Sequence, residues 1–162
     1  MDIREATAAD IDALVAVINA AFVAEAGFIR GPRTSALAVR DSMAEGGVFL
    51  VLERDEWEGL AGAVYVDARG TGAHVGMLAV DPRYQRRGLA RYLLGAAEAH
   101  CVMAECTTIE LTVFNVRPEL QVYYAACGYR SIGTRPFGQP DLLLAPAHLI
   151  VMQKAFGEIA SP

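Results

Sequence analysis

Asp81-Pro82-Arg83-Tyr84-Gln85-Arg86-Arg87-Gly88-Leu89-Ala90-Arg91 is the stretch whose reading decides the fold of this chain. A strand stops at Asp81-Pro82, because proline withholds the donor that a ladder needs. A helix starts near Gly88 and carries Leu89, Leu93, Leu94, Ala97 and Cys101 as one apolar stripe. The first turn of a helix leaves backbone N–H groups unpaired, and the helix dipole adds partial positive charge there. Gly88 lets that backbone come close to a phosphate, and the small Ala90 leaves room beside it. Arg83, Arg86, Arg87 and Arg91, four of the 14 Lys and Arg residues, crowd into this window of a chain whose net charge is −5. The local reading is an anion site built from main chain.

The flanking elements can be read from periodicity. Residues 2–6 alternate as a strand, and Thr7 with Asp10 three residues on forms a capping-box variant. Ile11, Leu14, Val15, Ile18 and Phe22 share one helical face. The segment 27–33, with Gly31-Pro32, breaks that helix, and a second over 34–45 ends at Gly46-Gly47. Residues 48–53 and 60–67 read as a hairpin with a turn at 55–59, followed by a strand over 74–80. Alternation places His74, Gly76, Leu78 and Val80 on one face of that strand. After the striped helix come a strand over 108–114, a helix from Pro118 to Gly128, and strands over about 129–134 and 147–155. The order β-α-α-β-β-β-α-β-α-β-β predicts one α/β sandwich domain over 1–162. Its sheet is mixed and mostly antiparallel, flanked by helices, and not doubly wound.

Composition sets the outer bounds. With 162 residues, 54% apolar and 20% charged, the chain is globular and can bury a core. The pI near 5.2 argues against a nucleic-acid partner and suits a cationic substrate. Cys101, Cys106 and Cys127 form no C-x-x-C pair, which fits a reducing compartment better than a disulfide framework. Asp2, Glu5, Asp10 and Asp12 near the start are unlike a signal peptide. The longest apolar stretch, 142–152, is broken by Pro146 and His148 and is too short for a bilayer. The expectation is a cytoplasmic protein with no membrane or nucleic-acid partner. No metal is expected, because the three histidines stand apart without ligand spacing.

Gln85-x-x-Gly88-x-Ala90, between a strand ending in Val80-Asp81-Pro82 and an amphipathic helix, resembles the acyl-CoA signature of the GNAT N-acetyltransferase superfamily. The order of elements resembles that fold over nearly the whole chain. The resemblance implies acetyl-CoA as cofactor, coenzyme A as product, and direct attack by a primary amine in a ternary complex. It implies that Gln85 and the main chain of Arg86, Arg87, Gly88, Leu89, Ala90 and Arg91 hold the pyrophosphate. Leu78, Ala79 and Val80 would pair with the pantetheine arm as though it were another strand. In relatives, the strand matching 74–80 splays away from that matching 108–114, and the thioester sits between them. A bulge is the usual device for such a gap, and the sequence shows none.

The segment Leu111 through Tyr129 resembles the family's second conserved block, which ends in an aromatic-Tyr-x-x-x-Gly-aromatic run. Tyr124 falls on the tyrosine that gives a proton to the leaving thiolate in many relatives. A phenol near pKa 10 and a thiol near 8.5 suit that transfer. The alternative is a packed helix tyrosine, and Tyr123 reads as the core member of the pair. An asparagine commonly found seven residues earlier is Arg117 here, leaving Asn115 as the nearest replacement for its pantetheine contact. The carboxylate base of relatives lies eleven positions before the signature glutamine, which here is His74. An imidazole near pKa 6.5 can serve as base directly or through water, or His74 is a surface residue at a strand start. A lysine-like amine is only about 0.1% neutral at pH 7.4, so freeing it costs roughly 4 kcal/mol, whereas a peptide α-amine needs little help.

The fold resembled here builds its acceptor pocket from segments matching 25–34 and 136–146. Glu25 could attract an ammonium, Arg33 or Arg30 could pair with a carboxylate, and Phe28 and Phe137 could supply apolar walls. A small molecule, a protein N-terminus and a lysine side chain all remain open as acceptors. Similar proteins are commonly homodimers, which leaves a homodimer open here; the oligomeric state is not readable from the sequence. Two other functions use the same residues: a non-catalytic acyl-CoA-binding or regulatory module, and a module whose arginine turn meets another anion such as a nucleotide phosphate.

Overall fold

Arg4 and Thr7 set the start of the molecule. The computed structural model describes residues 1–54 and 59–156. Strand β1 (Ile3–Glu5) ends at a capping box in which the Thr7 N–H donates to the Asp10 carboxylate at 2.7 Å. Arg4 grips the same carboxylate with two nitrogens, each at 2.8 Å. Helix α1 (Ile11–Ala21) buries Ile11, Leu14, Val17 and Ile18, then tightens into a 3₁₀ turn over Phe22–Glu25. Helix α2 (Ala36–Ala44) is capped by Ser35, whose Oγ accepts the Ala38 N–H at 3.2 Å.

The remaining elements are β2 (Val48–Glu53), β3 (Leu60–Arg69), β4 (Gly72–Val80), α3 (Leu89–Met103), β5 (Thr108–Phe114), α4 (Pro118–Ala126), β6 (Arg130–Pro136) and β7 (His148–Ala155). Their order and types are those expected. Strand β4 starts two residues before the expected 74, because Gly70-Thr71 alone turns the chain and Arg69 pairs with Gly72. The turn expected at 55–59 lies, apart from Gly59, outside the described residues. The sheet runs β1-β2-β3-β4-β5-β7-β6, and every adjacent pair is antiparallel except the parallel β4–β5. Among the described residues, no helix is long and apolar enough to cross a membrane.

Each face of the sheet has its own core. On one face α3 lays Leu93, Leu94, Ala97 and Cys101 over β2, β3 and β4. Gly62 permits that approach: a Cβ there would sit 2.7 Å from both the Ala79 carbonyl and Leu93 Cδ1. On the other face α1 packs Leu14 and Ile18 against Val51, Ala63 and Ala79. Burying such a leucine or isoleucine contributes roughly 1.5–3 kcal/mol, so both helices are firmly seated.

The feature that opens the sheet is in β4. Ala63 pairs with Ala79 and Tyr65 with Gly76, so β4 spends one residue more than β3 between those pairs. Met77 takes φ 51°, in the left-handed region that costs an L-residue about 1–2 kcal/mol. This bulge corrects the expected alternation. His74, Gly76 and Ala79 face α1, whereas Leu78 and Val80 face α3. An extra residue inverts the parity of everything after it. Beyond the pairs Gly72–Thr108, Ala73–Ile109 and His74–Glu110, strands β4 and β5 share no further register.

Candidate active site

One buried carboxylate organises the turn between β4 and α3. Asp81, 8% exposed, accepts the Arg83 N–H at 2.9 Å and so caps the 3₁₀ turn Pro82–Tyr84. It also receives Arg83 Nη2 at 2.9 Å and Arg54 Nη2 at 2.7 Å. These partners, the Arg83 side chain foremost, hold its pKa down at about 2. The guanidinium carbons of Arg54 and Arg87 lie 5.3 and 5.4 Å from the Tyr84 ring centroid. Gln85 Nε2 donates to the Val80 carbonyl at 3.1 Å, tying the turn back to the strand.

Arg86 and Gly88 then adopt φ 64° and 77°, which swings the chain into α3. The Tyr92 N–H bonds to the Gly88 carbonyl at 3.1 Å. The N–H groups of Leu89, Ala90 and Arg91 therefore precede the first intrahelical bond and point out of the helix mouth. A Cβ on Gly88 would meet nothing within 4 Å, so glycine serves conformation and open approach there, not packing.

From this turn a cavity of about 500 Å³ passes through the gap between β4 and β5. Val80, Gln85 and Ala90 line it near the turn, Leu78, Val113 and Tyr124 in the middle, and Phe22, Arg33 and Phe137 at the far end. Tyr124 packs with the α3-face core, edge-on to Tyr123 and Tyr129 at centroid distances of 5.2 and 5.9 Å. Its hydroxyl has no hydrogen-bond partner among the described residues, and burial pushes its pKa up. Of the pair it is Tyr124, not Tyr123 as expected, that packs against the core; Tyr123 lines the cavity, and its buried hydroxyl lacks a nitrogen or oxygen partner.

His74 lines the same cavity from the opposite face of the sheet. Its ring lies over Gly76, where an added Cβ would come within 3.1 Å of Nε2. His74 is solvent-exposed, as the surface alternative expects, yet the surrounding protein still disfavours the imidazolium. Desolvation lowers its pKa against the opposing pull of Glu110. Glu110 is in turn engaged by Arg135 at 3.0 Å. At neutral pH the imidazole is therefore in its base form.

At the far end the two segments expected to form an acceptor wall are laced together. The Arg30 N–H donates to the Leu142 carbonyl at 2.7 Å, and the Leu144 N–H to that of Phe28 at 2.8 Å. Phe114 sits between Phe28 and Phe137, with both centroid distances 5.1 Å. Phe28 thus braces the aromatic wall from behind. Glu25, 6% exposed, reaches the cavity but is paired to Arg117 Nη1 at 3.1 Å, so its charge is already balanced. Arg117, in the place of the family's asparagine, also bonds Glu119 at 2.9 Å.

One expected contact is corrected. Asn115 does not line the cavity: its Oδ1 accepts the His148 N–H at 2.8 Å and its own N–H reaches the His148 carbonyl at 2.9 Å. It fixes the start of β7 instead. Ala79 points its side chain into the α1-face core, leaving only its main chain for a ligand.

Sequence reading missed Met77, Thr112 and Phe22 as cavity residues and Arg54 as a partner of Asp81. Phe22 was assigned to the helix face, and the left-handed Met77 carries no compositional mark. Arg54 and Asp81 are 27 residues apart, so no local pattern joins them.

A family model described as an acetyltransferase (GNAT) domain matches residues 24–142. Among solved structures, the ribosomal-protein-S18-alanine N-acetyltransferase from Escherichia coli superposes with a TM-score of 0.78 at 20% identity, over 97% of this chain and 96% of that one. The ribosomal-protein-alanine N-acetyltransferase from Brucella melitensis gives 0.72 at 19% identity, over 96% and 100%. The PaiA N-acetyltransferase from Thermoplasma acidophilum, in complex with coenzyme A, gives 0.71 at 17% identity, over 96% and 98%. At these identities the structures speak for the fold. No curated protein matches the sequence.

Proposed function

The chain belongs to the GNAT acetyltransferase family and is an acetyl-CoA-dependent acyltransferase, and on that premise we propose that it acetylates a primary amine by direct attack in a ternary complex. The observation that carries the proposal is the cavity through the sheet, which joins the α3 turn to an aromatic wall built from Phe22, Phe114 and Phe137. When bound, acetyl-CoA supplies a thioester whose C–S bond breaks as the new C–N bond forms.

The protein's part is binding, aiming and proton transfer. The N–H groups of Arg86 through Arg91 present pre-organised donors to a diphosphate, with the helix dipole behind them. The main chain of Leu78, Ala79 and Val80, which β5 has left unpaired, offers strand-like hydrogen bonds to the pantetheine arm. Tyr124 keeps its proton at working pH, because burial raises its pKa, and delivers it to the departing sulfur. A leaving thiolate in the same dry gap is itself a stronger base than in water, which keeps the transfer matched. His74 receives the proton that the amine must lose, directly or through a water. With His74 on the α1 face of β4 and Tyr124 packed with the α3-face core, the base acts on the amine and the acid on the sulfur from different sides of the sheet.

A thermal-shift assay coupled to free-thiol detection over a panel of amines tests this reading. Acetyl-CoA should stabilise the protein, and thiol release should require both acetyl-CoA and an amine. Binding without release on any amine would point to a non-catalytic acyl-CoA-binding module. Equal stabilisation by ATP or sulfate would reduce the turn to a general anion site.

A further inference from the structure

Among the described residues, Arg33 is the cavity-lining arginine without a carboxylate partner. The side chains there that can carry charge near neutral pH are Glu25, Arg33, His74 and Arg117. Glu25 and Arg117 neutralise one another at 3.1 Å. Among the described residues Arg33 has no carboxylate partner; its guanidinium carbon lies over the Phe22 ring, 5.1 Å from the centroid. Arg33 is solvent-exposed at the cavity mouth, and the protein around it lowers its pKa against the opposing pull of Glu25. Arg117 is shared between Glu25 and Glu119, which leaves the Arg33 guanidinium without a carboxylate of its own among the described residues.

The arm is also held at its root. Asn19 on α1 accepts the Thr34 N–H at 2.9 Å and donates to the Thr34 carbonyl at 3.1 Å, and Thr34 is buried. On its other side, the Arg30 N–H ties the loop to Leu142. A guanidinium fork with its donors unused, on an anchored backbone beside Phe22 and Phe137, is built to take a planar oxyanion next to an apolar body.

Resting on the acetyl-transfer reading above, we infer that the acceptor is a small amine that also carries a carboxylate, of the amino-acid type with an apolar side chain, and that Arg33 holds that carboxylate. Arg33 is then a specificity-determining residue that orients the amine toward His74. A protein lysine, which brings a second cation and no carboxylate, fits this end poorly.

The test uses the full chain with leucine and phenylalanine, each as free acid, primary amide and decarboxylated amine, in the wild type and in Arg33→Gln and Arg33→Lys. In the wild type the free acids should exceed the amides in kcat/KM by roughly 10- to 100-fold, mostly through KM, as expected for a charge-assisted pair. In Arg33→Gln the acid-to-amide ratio should fall toward one, and Arg33→Lys should restore part of it. In parallel, the free acids should raise the melting temperature of the coenzyme A-bound wild type but not of Arg33→Gln. This arm decides the assignment even without turnover. Equal use of acids and amides, an unchanged ratio in Arg33→Gln, or a preference for peptides overturns the inference and leaves acetyl transfer standing. Absence of thiol release from every amine would instead remove the acetyl-transfer reading.

Discussion

The two ends of the cavity are built by different means. At the α3 turn, the proposed binding groups are main-chain N–Hs delivered by a helix start, and one carboxylate, Asp81, organises the loop. At the acceptor end, Phe22, Arg33, Arg117 and Phe137 arrive as side chains from four separate segments. A main-chain site constrains sequence only where φ or size matters, and those positions lie close together. A side-chain site leaves no contiguous pattern and can be changed one residue at a time without disturbing the frame. The turn should therefore be intolerant of small changes, and the acceptor end should trade specificity for little loss of stability.

Substitution at Gly88 is the strongest challenge to that contrast. Gly88→Glu forces an L-residue into φ 77° and sets a carboxylate against the diphosphate. Acetyl-CoA affinity by calorimetry should drop by roughly 100-fold or more. Affinity close to that of the wild type would show that the main chain of this turn is not the grip. In the middle of the cavity, Tyr124→Phe should lower kcat by about 100-fold while leaving acetyl-CoA affinity within about twofold. If kcat and affinity fell together, Tyr124 would be a packing residue.

Asp81 tests how far the turn depends on its single organiser. Its folded pKa, near 2, lies below the ordinary 3.8, so its contribution is fully present above about pH 4 and is lost as pH falls toward 2. Asp81→Asn should cost about 2 kcal/mol at pH 7 in chemical denaturation, a difference that shrinks to nothing below pH 2. A pH-independent difference would assign the loss to packing alone. The smallest effect belongs to His74. Its pKa is lowered by desolvation, with Glu110 and Asp67 pulling up and Arg135 and Arg33 pushing down. kcat/KM should rise with pH through a value below 6.5 and level off above it, and His74→Gln should flatten that limb with a roughly tenfold loss on the plateau. A limb that persists in His74→Gln would assign the titration to the amine.

The same contrast explains what was legible in the sequence. The Leu93, Leu94, Ala97 and Cys101 stripe, the Thr7–Asp10 cap and the Gly88 turn are local, so periodicity and glycine placement revealed the element order and the left-handed turn into α3. The Met77 bulge was not legible, since methionine has no preference for φ 51°, and strict alternation put His74 on the wrong face relative to Leu78. Asn115 was given a ligand role by its nearness to Arg117 in sequence, whereas its side chain is spent on β7. The sequence offers Glu25 to an ammonium because its partner Arg117 lies 92 residues away. Each miss involves a pairing across the sheet or between loops that only the folded register creates.

The central claim is that main-chain donors at the mouth of α3 hold the cofactor's diphosphate so that its thioester reaches the gap opened by the Met77 bulge. A crystal structure of the protein with acetyl-CoA measures this directly. The account predicts diphosphate oxygens about 2.7–3.2 Å from N–H groups within 86–91, and the thioester between β4 and β5 beside Tyr124. A diphosphate bound elsewhere, with the turn at Gly88 empty, would contradict it.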